Sequence, residues 1–165
     1  DIERKLFLGK WQEFMDNVSS NCVFNCTFLQ NPMCEAMIRF GFSLDDTFQY
    51  IKEIYNIIKP LNPIVIYLKV DNIVKSIRRV VPERGSGWLN AVIDYHCNGA
   101  YGKENKLEGF DGYIKALEER QRREIYILKH LGVKHIILEN ANINWNQTYK
   151  TIDDYIHNNI NEDEI

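Results

Sequence analysis

The feature that most constrains the fold is a short uninterrupted apolar run, residues 64–68, with the sequence Ile-Val-Ile-Tyr-Leu. Its β-branched and aromatic residues favour a strand, and Pro60 and Pro63 bracket a loop just before it. The run does not alternate between apolar and polar residues, which predicts a strand covered on both faces, as in a parallel sheet. Residues 135–138 and the Cys-, Val- and Phe-rich residues 21–29 read in the same way, so three buried strands are predicted.

Helical patterns separate these strands, which predicts crossover connections and a parallel sheet. Ser43 is a good N-cap with Asp46 three residues later, and Gly132 is a good C-cap. Three strands are fewer than the roughly four to six that a sheet usually has. The predicted helices cover residues 2–18, 32–40, 44–58, 72–80, 88–97, 113–131 and 147–159.

Length and charge restrict the classes of function. The 165 residues fit a single domain over 1–160, followed by an acidic tail, 161–165, that we expect to fray. The formal net charge of -3 gives no electrostatic reason to bind nucleic acid or an anionic membrane surface. No apolar run approaches the roughly 20 residues of a membrane-spanning helix. Charge and hydropathy therefore predict neither nucleic acid nor a membrane as a partner.

The cysteines predict a reducing compartment. Cys22, Cys26, Cys34 and Cys97 form no CxxC pair, so the sequence supports neither a zinc site nor a redox motif. Cys22 and Cys26 would lie about two pleats apart on one face of a strand, too far to bridge comfortably. We therefore expect four free thiols, a cytoplasmic location and no metal ligands supplied by the chain.

A group of arginines follows the central apolar run. Arg78 and Arg79 lie on the predicted helix after it, and Arg84 lies in a Gly- and Ser-rich turn, residues 82–88. Ligands of α/β proteins bind at the carboxyl edge of the sheet, and guanidinium groups match phosphate oxygens in pairs. Two interpretations remain open: a mobile lid over a phosphoryl group, or a solvated helix face followed by a turn.

This strand-and-arginine pattern resembles the lid region of P-loop nucleoside and nucleotide kinases. Residues 23–32 resemble the strand that precedes their acceptor contacts, and residues 136–145 resemble their last strand and base-side loop. Residues 30–32, 88–90 and 102–103 together resemble an uncharacterised family of bacterial P-loop kinase-like proteins. The resemblance covers nearly the whole chain.

The resemblance implies a fold and an activity. The fold would be an α/β domain with a three-layer parallel sheet of the P-loop kinase type, without its first β-α unit, and with a lid and acceptor region over 81–112. The activity would be phosphoryl transfer from ATP, with magnesium, to a small nucleoside-like acceptor. The implied lid residues are Arg78, Arg79 and Arg84, the implied acceptor contacts are Asn25, Gln30, Asn31, Tyr95, Tyr101 and Lys103, and the implied nucleotide contacts are Asn140, Asn142 and Trp145.

Two departures from the family limit this implication. The sequence contains no G-x-x-x-x-G-K-[ST] loop, because Gly9-Lys10 precedes Trp11 and Gly102-Lys103 precedes Glu104. Kinases carry that loop after their first strand, which we expect upstream of this chain. Asn25 stands where the kinases carry an acid, and an amide cannot act as the general base. The alternative function is a non-catalytic binding or assembly module that kept the fold.

The missing first strand raises a physical problem. In the kinase sheet it lies between the strands predicted at 21–29 and 64–70, so its removal would leave two strand edges unpaired. We expect the upstream segment to be supplied elsewhere, the chain to rearrange, the edge to pair with another copy as a homodimer, or the gap to be closed in some other way.

Several other residues have two possible interpretations. Residues 118–124 form a mixed-charge helical run, read either as a solvated face with i,i+4 pairs or as a source of Arg120 or Arg123 for the phosphate site. Tyr95 and Tyr101 either line an acceptor pocket or pack a loop. Trp145 either covers the core or lies beside a nucleotide base.

Overall fold

The computed structural model describes residues 2–139 and 144–160, which form seven α-helices and a two-stranded sheet. No helix in these ranges is both long enough and apolar enough to span a membrane. In chain order the elements are α1 (Ile2–Asn17), α2 (Gln30–Met33) with a π-helical continuation (Cys34–Arg39), α3 (Leu44–Ile58) with a 3₁₀ turn (Lys59–Leu61), β1 (Ile64–Lys69), α4 (Ile73–Asn98), α5 (Ala100–Glu104), α6 (Gly109–Leu131), β2 (Lys134–Glu139) and α7 (Trp145–Ile160).

The two strands confirm part of the prediction. β1 and β2 pair in parallel, in a register that runs from Ile64 opposite Lys134 to Lys69 opposite Glu139. α6 forms the helical part of the connection that leads into β2, and it ends at Gly132, whose φ of 78° is the left-handed conformation of the predicted C-cap.

The predicted three-layer parallel sheet is wrong. Within the described residues the sheet has two strands only, and residues 21–29 form no strand. Val23 is fully exposed, and Phe24 packs edge-to-face against Trp11 and Phe14, whose helix is α1, instead of joining the sheet. Cys26 adopts a φ of 66°, which ends any extended conformation before α2. The segment has the composition of a strand, but its Phe24 side chain packs on α1 instead.

The region predicted as a loop-rich lid is largely helical. The predicted helices 72–80 and 88–97 correspond to the two helical stretches of α4, which meet at a kink at Gly85, where φ is 82° and ψ is 166°. Glycine adopts this conformation without steric cost, so the chain changes direction at one residue within the predicted 82–88 turn, and the second helical stretch follows at once. The predicted loop over 98–112 likewise contains α5 and the start of α6.

The core lies between the helices and one face of the sheet. Ser43 confirms its predicted role, since its Oγ accepts the Asp46 backbone N–H at 3.1 Å and starts α3. Val65 and Tyr67 of β1 pack against the core from the sheet. The largest side chains with almost no exposed surface are those of Pro32, Met33, Met37, Ile38, Thr47, Ile51, Ile54, Ile127 and Leu128.

Gly102 offers a test of this packing. A Cβ at Gly102 would lie 2.3 Å from the backbone oxygens of both His96 and Cys97, and backbone cannot move aside as a side chain can. We expect Gly102→Ala to lower the free energy of unfolding by about 1–3 kcal/mol in chemical denaturation, as overpacking does.

Gly9→Ala is the matched control for Gly102→Ala. A Cβ at Gly9 of α1 would meet no atom within 4 Å, so alanine should leave stability unchanged or raise it by up to about 1 kcal/mol through helix propensity. Equal stabilities of the two variants would contradict the packing described around α5.

Candidate functional site

The three predicted lid arginines lie on α4 and are exposed. The Arg78 guanidinium lies 5.9 Å from the centre of the Phe110 ring, and the Arg84 guanidinium lies 5.9 Å from that of Trp88. Arg78 and Arg84 thus lie against different aromatic rings. A nearby surface groove of about 340 Å³ is lined by Asn90, Ile93, Asp94, Cys97, Asn98, Leu107, Glu108 and Gly109, and by none of the predicted site residues.

Three predicted acceptor contacts meet at one turn. The Cys26 Sγ lies 3.1 Å from Asn25 Oδ1 and 3.2 Å from Gln30 Oε1, and the Asn31 backbone N–H donates to the Cys26 carbonyl. The turn that brings these side chains together is stabilised by its own hydrogen bonds.

The other predicted acceptor contacts lie elsewhere. Tyr95 of α4 donates to the Cys34 carbonyl at 3.0 Å, and the Tyr101 ring lies 5.4 Å from the Arg123 guanidinium. Lys103 is exposed on α5. Both tyrosines therefore contribute to packing between helices, which was one of their two readings.

Of the predicted nucleotide contacts, Asn140 and Asn142 lie outside the described residues. Trp145 is the first residue of α7, is partly exposed, and stacks on Tyr149 with ring centres 5.7 Å apart and planes 27° apart. The two rings form an exposed aromatic pair one turn into the helix.

A buried charged network links β1 to α6 and was missed by the sequence. Glu124 of α6 is 3% exposed and accepts a hydrogen bond of 2.5 Å from the Tyr67 hydroxyl of β1. The Arg120 Nε lies 3.2 Å from a Glu124 carboxylate oxygen, and its Nη1 donates to the Cys34 Sγ at 3.2 Å. This network is defined here as the Tyr67–Glu124–Arg120–Cys34 network, and it directs Arg120 inward instead of toward a phosphate site.

Burial sets the protonation of this network. Burial raises the pKa of the Glu124 carboxyl, while Arg120 and the Tyr67 hydroxyl oppose the rise. Burial also raises the pKa of Tyr67, and the Glu124 charge adds to the increase, so the phenol stays protonated and donates. The pKa of the Cys34 thiol is raised by burial despite Arg120, which makes it an acceptor for the guanidinium and not a reactive thiolate.

A second contact ties the end of β1 to the same helix. The Gln121 side chain accepts the Val70 backbone N–H at 2.9 Å and donates to the Val70 carbonyl at 3.0 Å. Gln121 thus satisfies the backbone just after β1 in the way that a neighbouring strand would. With the Tyr67 hydrogen bond, it fixes the position of β1 on α6.

The outer edge of β1, on the side away from β2, is open. Over Ile64–Lys69 no hydrogen bond joins this edge to another element of the described chain. Leu68 is 45% exposed, and Ile64 and Ile66 share its face because side chains alternate along a strand. We call the unpaired backbone side of Ile64–Lys69, together with the outward side chains of Ile64, Ile66 and Leu68, the β1 edge.

β2, by contrast, is covered by the last helix. The Tyr155 hydroxyl of α7 donates to the His135 carbonyl at 2.8 Å, and the Lys134 Nζ donates to the Asn159 carbonyl at 3.0 Å. α7 therefore contacts the amino end of β2, while neither strand has a second backbone partner among the described residues.

His96 is the other buried titratable group near the network. Its ring is 6% exposed, and its Nδ1 lies 2.7 Å from the Val92 carbonyl, which requires the proton on Nδ1. Its Nε2 is buried without a hydrogen-bond partner in the described structure, and the ring lies 4.7 Å from that of Tyr113. Burial lowers the pKa of His96, and the Arg120 charge adds to this against the Val92 hydrogen bond.

The cysteines and acidic residues form no metal centre in the part of the chain that the structure describes. No group of three or more His, Cys, Asp and Glu side chains is placed there to hold a metal ion. All four cysteines are free: Cys22 and Cys26 are exposed, Cys34 is half-buried and Cys97 is buried.

Comparisons with known proteins identify no relative. No family model matches the sequence, no curated protein matches it, and no solved structure matches the fold. The resemblance to P-loop kinases stays a prediction from sequence.

Glu124→Gln tests the buried network. The amide can still accept from Tyr67 but leaves the Arg120 charge uncompensated in the interior, so we expect the free energy of unfolding to fall by about 3 kcal/mol. Glu118→Gln, on the exposed face of the same helix, should change it by less than about 0.5 kcal/mol. A double variant, Arg120→Met with Glu124→Leu, should recover much of the loss, and a Glu124→Gln protein as stable as Glu118→Gln would contradict the network.

The lowered pKa of His96 predicts a loss of stability in mild acid. Stability from keeping His96 neutral is complete above about pH 6.5, the usual pKa, and is lost as pH falls toward the lowered value in the folded protein. Glu124 acts in the opposite sense, because its raised pKa favours the folded protein as the carboxyl protonates.

Denaturation of the wild type and of His96→Phe between pH 7 and pH 5 separates these two effects. The free energy of unfolding of the wild type, measured relative to that of His96→Phe, should fall as pH is lowered in this range. Only the wild type contains an imidazole that takes up a proton more readily in the unfolded state than in the folded state. Parallel pH profiles of the two proteins would contradict the buried neutral imidazole.

Proposed function

We propose that this domain is a non-catalytic assembly module that accepts a β-strand of another polypeptide along the β1 edge. The observation that carries the proposal is an apolar strand that pairs on one side only. Strand addition to a sheet edge is a general mode of recognition, in which backbone hydrogen bonds supply affinity and alternate side chains supply specificity.

The composition of β1 supports a binding role for this edge. Proteins usually protect an edge strand with charges, proline or a bulge, since an open edge pairs with other chains. From Ile64 to Leu68 the strand carries none of these. Lys69 follows at the end, but its Nζ is engaged by Glu139 at 2.6 Å and by Asp71 at 3.7 Å.

The attachment of β1 to α6 prepares the edge for an incoming strand. Tyr67 is held by Glu124, and the backbone of Val70 is held on both its N–H and C=O by Gln121. A strand fixed in this way does not have to be ordered when a partner binds, which reduces the entropic cost of association.

Binding would also complete an unusually small sheet. A two-stranded sheet is marginally stable alone, and parallel sheets are normally covered on both faces. A third strand beside β1 would pair its outer backbone groups and reduce the exposure of Leu68.

The placement of the predicted kinase residues does not favour phosphoryl transfer over this proposal. Arg78 and Arg84 lie against separate rings, and Asn25 cannot serve as a base. A cytoplasmic location belongs to the proposal, because the exposed thiols of Cys22 and Cys26 would persist in a reducing compartment.

A synthetic peptide with the sequence of residues 62–71 tests whether the edge accepts a strand. We expect the labelled peptide to bind in the micromolar range and to slow hydrogen exchange at the outward amides of β1. The same peptide with alternate backbone nitrogens methylated is the control, because it keeps the side chains but cannot form a ladder.

A variant of the protein gives the second arm of this test. Leu68→Lys should weaken peptide binding about tenfold or more, since it places a charge on the face that the peptide covers. Equal binding of the methylated peptide would exclude strand addition. Heat released on titration with Mg-ATP, and abolished by Arg84→Ala, would favour the kinase instead.

A further inference from the structure

The arginines of this chain fall into two groups, those with an ion pair and those without one. The sequence contains eight arginines. The paired ones are Arg4 with Glu53, Arg39 with Glu35, Arg120 with Glu124, and Arg122 and Arg123 with Glu119. Arg78, Arg79 and Arg84 form no ion pair with any residue that the structure describes. All three lie in the first stretch of α4, residues 73–84, before the kink.

One face of this stretch concentrates positive charge. Lys75, Arg78 and Arg79 are exposed and occupy positions i, i+3 and i+4, so their side chains are neighbours on the helix surface. Lys75 also has no ion pair within residues 2–139 and 144–160. Like charges at this spacing destabilise a helix, and a bound anion would relieve their repulsion. We call these three side chains the basic face.

The two arginines of the basic face keep their hydrogen-bond donors available. The Arg78 guanidinium lies 5.9 Å from the centre of the Phe110 ring. A guanidinium that lies with its plane against a ring retains the N–H groups at its edge, which match phosphate oxygens in pairs. The Arg79 side chain makes no hydrogen bond or ring contact in the part of the chain that the structure describes.

An acidic groove lies beside the basic face. The surface groove of about 340 Å³ is lined by Asp94 and Glu108, and by Gly109, which directly precedes Phe110. Neither carboxylate forms an ion pair with a described residue, and Asp94 only accepts a hydrogen bond of 2.6 Å from the Asn98 amide. The surface therefore changes from positive at Arg78 to negative at Glu108, two residues before the ring that Arg78 contacts.

We propose that this surface binds a polypeptide that carries a phosphorylated side chain close to basic residues. The phosphoryl group lies on the basic face, and a basic side chain of the partner lies in the acidic groove. Arginine clusters are a general means of recognising phosphorylated segments. The site goes beyond the proposed function, because it shares no residue with the β1 edge.

The strength of the available interactions favours a phosphoryl group over a carboxylate. Single ion pairs between exposed side chains contribute little to binding or stability. A phosphorylated side chain carries about -1.5 to -2 charges at pH 7 and three acceptor oxygens, so one group can engage two cations of the basic face at once. Its hydrogen bonds to guanidinium groups are also paired and charge-assisted.

The distribution of charge favours a polypeptide over a nucleic acid or a membrane. Residues 73–84 contain four cationic side chains and Glu83, a net charge of +3, whereas the whole chain has -3, so the rest carries -6. A polyanion would meet this negative remainder and the carboxylates of the groove. The apolar residues of the stretch, among them Ile77 and Val81, are half-buried against the protein and cannot enter a lipid surface.

A labelled peptide in which phosphoserine lies between alternating alanine and lysine residues tests the proposal. We expect it to bind at least about tenfold more tightly than the same peptide with unmodified serine, and than a phosphoserine peptide with glutamate in place of lysine. Fluorescence anisotropy measures all three affinities. The serine peptide measures attraction of its lysines to the negative protein as a whole.

Arg79→Lys separates recognition by a guanidinium from attraction by charge alone. It keeps the charge of an exposed side chain that has no described partner, but it removes the paired donors, so binding of the lysine phosphopeptide should weaken about tenfold. Arg122→Lys is the matched control, because it makes the same change at an exposed arginine of α6 that already pairs with Glu119. It should bind like the wild type.

Glu108→Gln tests the groove. The variant should lose most of the preference for lysine over glutamate beside the phosphoserine, whereas Glu118→Gln, an equal charge change on the exposed face of α6, should keep it. Circular dichroism checks that each variant is folded.

Four results would overturn the proposal. They are absent binding of the lysine phosphopeptide, equal binding of its phosphorylated and unmodified forms, equal effects of Arg79→Lys and Arg122→Lys, and tighter binding of another anion. The other anions to be tested are inorganic phosphate, a single-stranded oligonucleotide and phosphatidylserine vesicles, and tighter binding of one of them would assign the basic face to that class of ligand instead.

Discussion

The position of β1 on α6, and the burial of the charges around it, depend on the hydrogen bond between Tyr67 and Glu124. A carboxylate at this depth is costly unless it is paired, which accounts for Arg120 one turn earlier on the same helix. Arg120 in turn requires an acceptor on its other side, and the half-buried Cys34 thiol of the π-helical segment provides it. One polar contact thus positions a strand, a long helix and the central π-helical turn.

Each strand of the sheet is held by a different helix. β1 is held on its inner face by α6 and at its end by Gln121, and β2 is covered by α7. What remains is a well-positioned backbone edge with apolar side chains and no protecting charge. A rigid and unprotected edge is what strand addition requires, whereas a flexible edge would have to be ordered first.

The strongest local signals in the sequence predicted their elements correctly. The apolar runs at 64–68 and 135–138 became parallel strands, and Ser43 and Gly132 cap their helices. Residues 21–29 failed because their composition indicates burial but not the partner, and Phe24 found its partner in Trp11. The predicted turn at 82–88 is shorter than expected, because α4 kinks at Gly85 alone and the residues on either side of it are helical.

The site was harder to predict than the strands. A Glu four residues after an Arg on a charged helix is usually a solvated pair, so nothing local distinguishes Arg120 and Glu124 from their neighbours. Their burial depends on Tyr67, 57 residues from Glu124. The sequence analysis predicted two unpaired edges, on strands at 21–29 and 64–70, from a missing kinase strand between them. Residues 21–29 form no strand, so only the edge of β1 corresponds to that prediction.

Backbone amide exchange along Ile64–Lys69, measured residue by residue without and with the peptide of residues 62–71, tests the central claim most directly. The amides directed toward β2 should be protected in both conditions, and those directed outward should exchange freely without the peptide and become protected with it. Outward amides that are protected even without the peptide would contradict an open β1 edge, and outward amides that stay unprotected with it would contradict its pairing with an incoming strand.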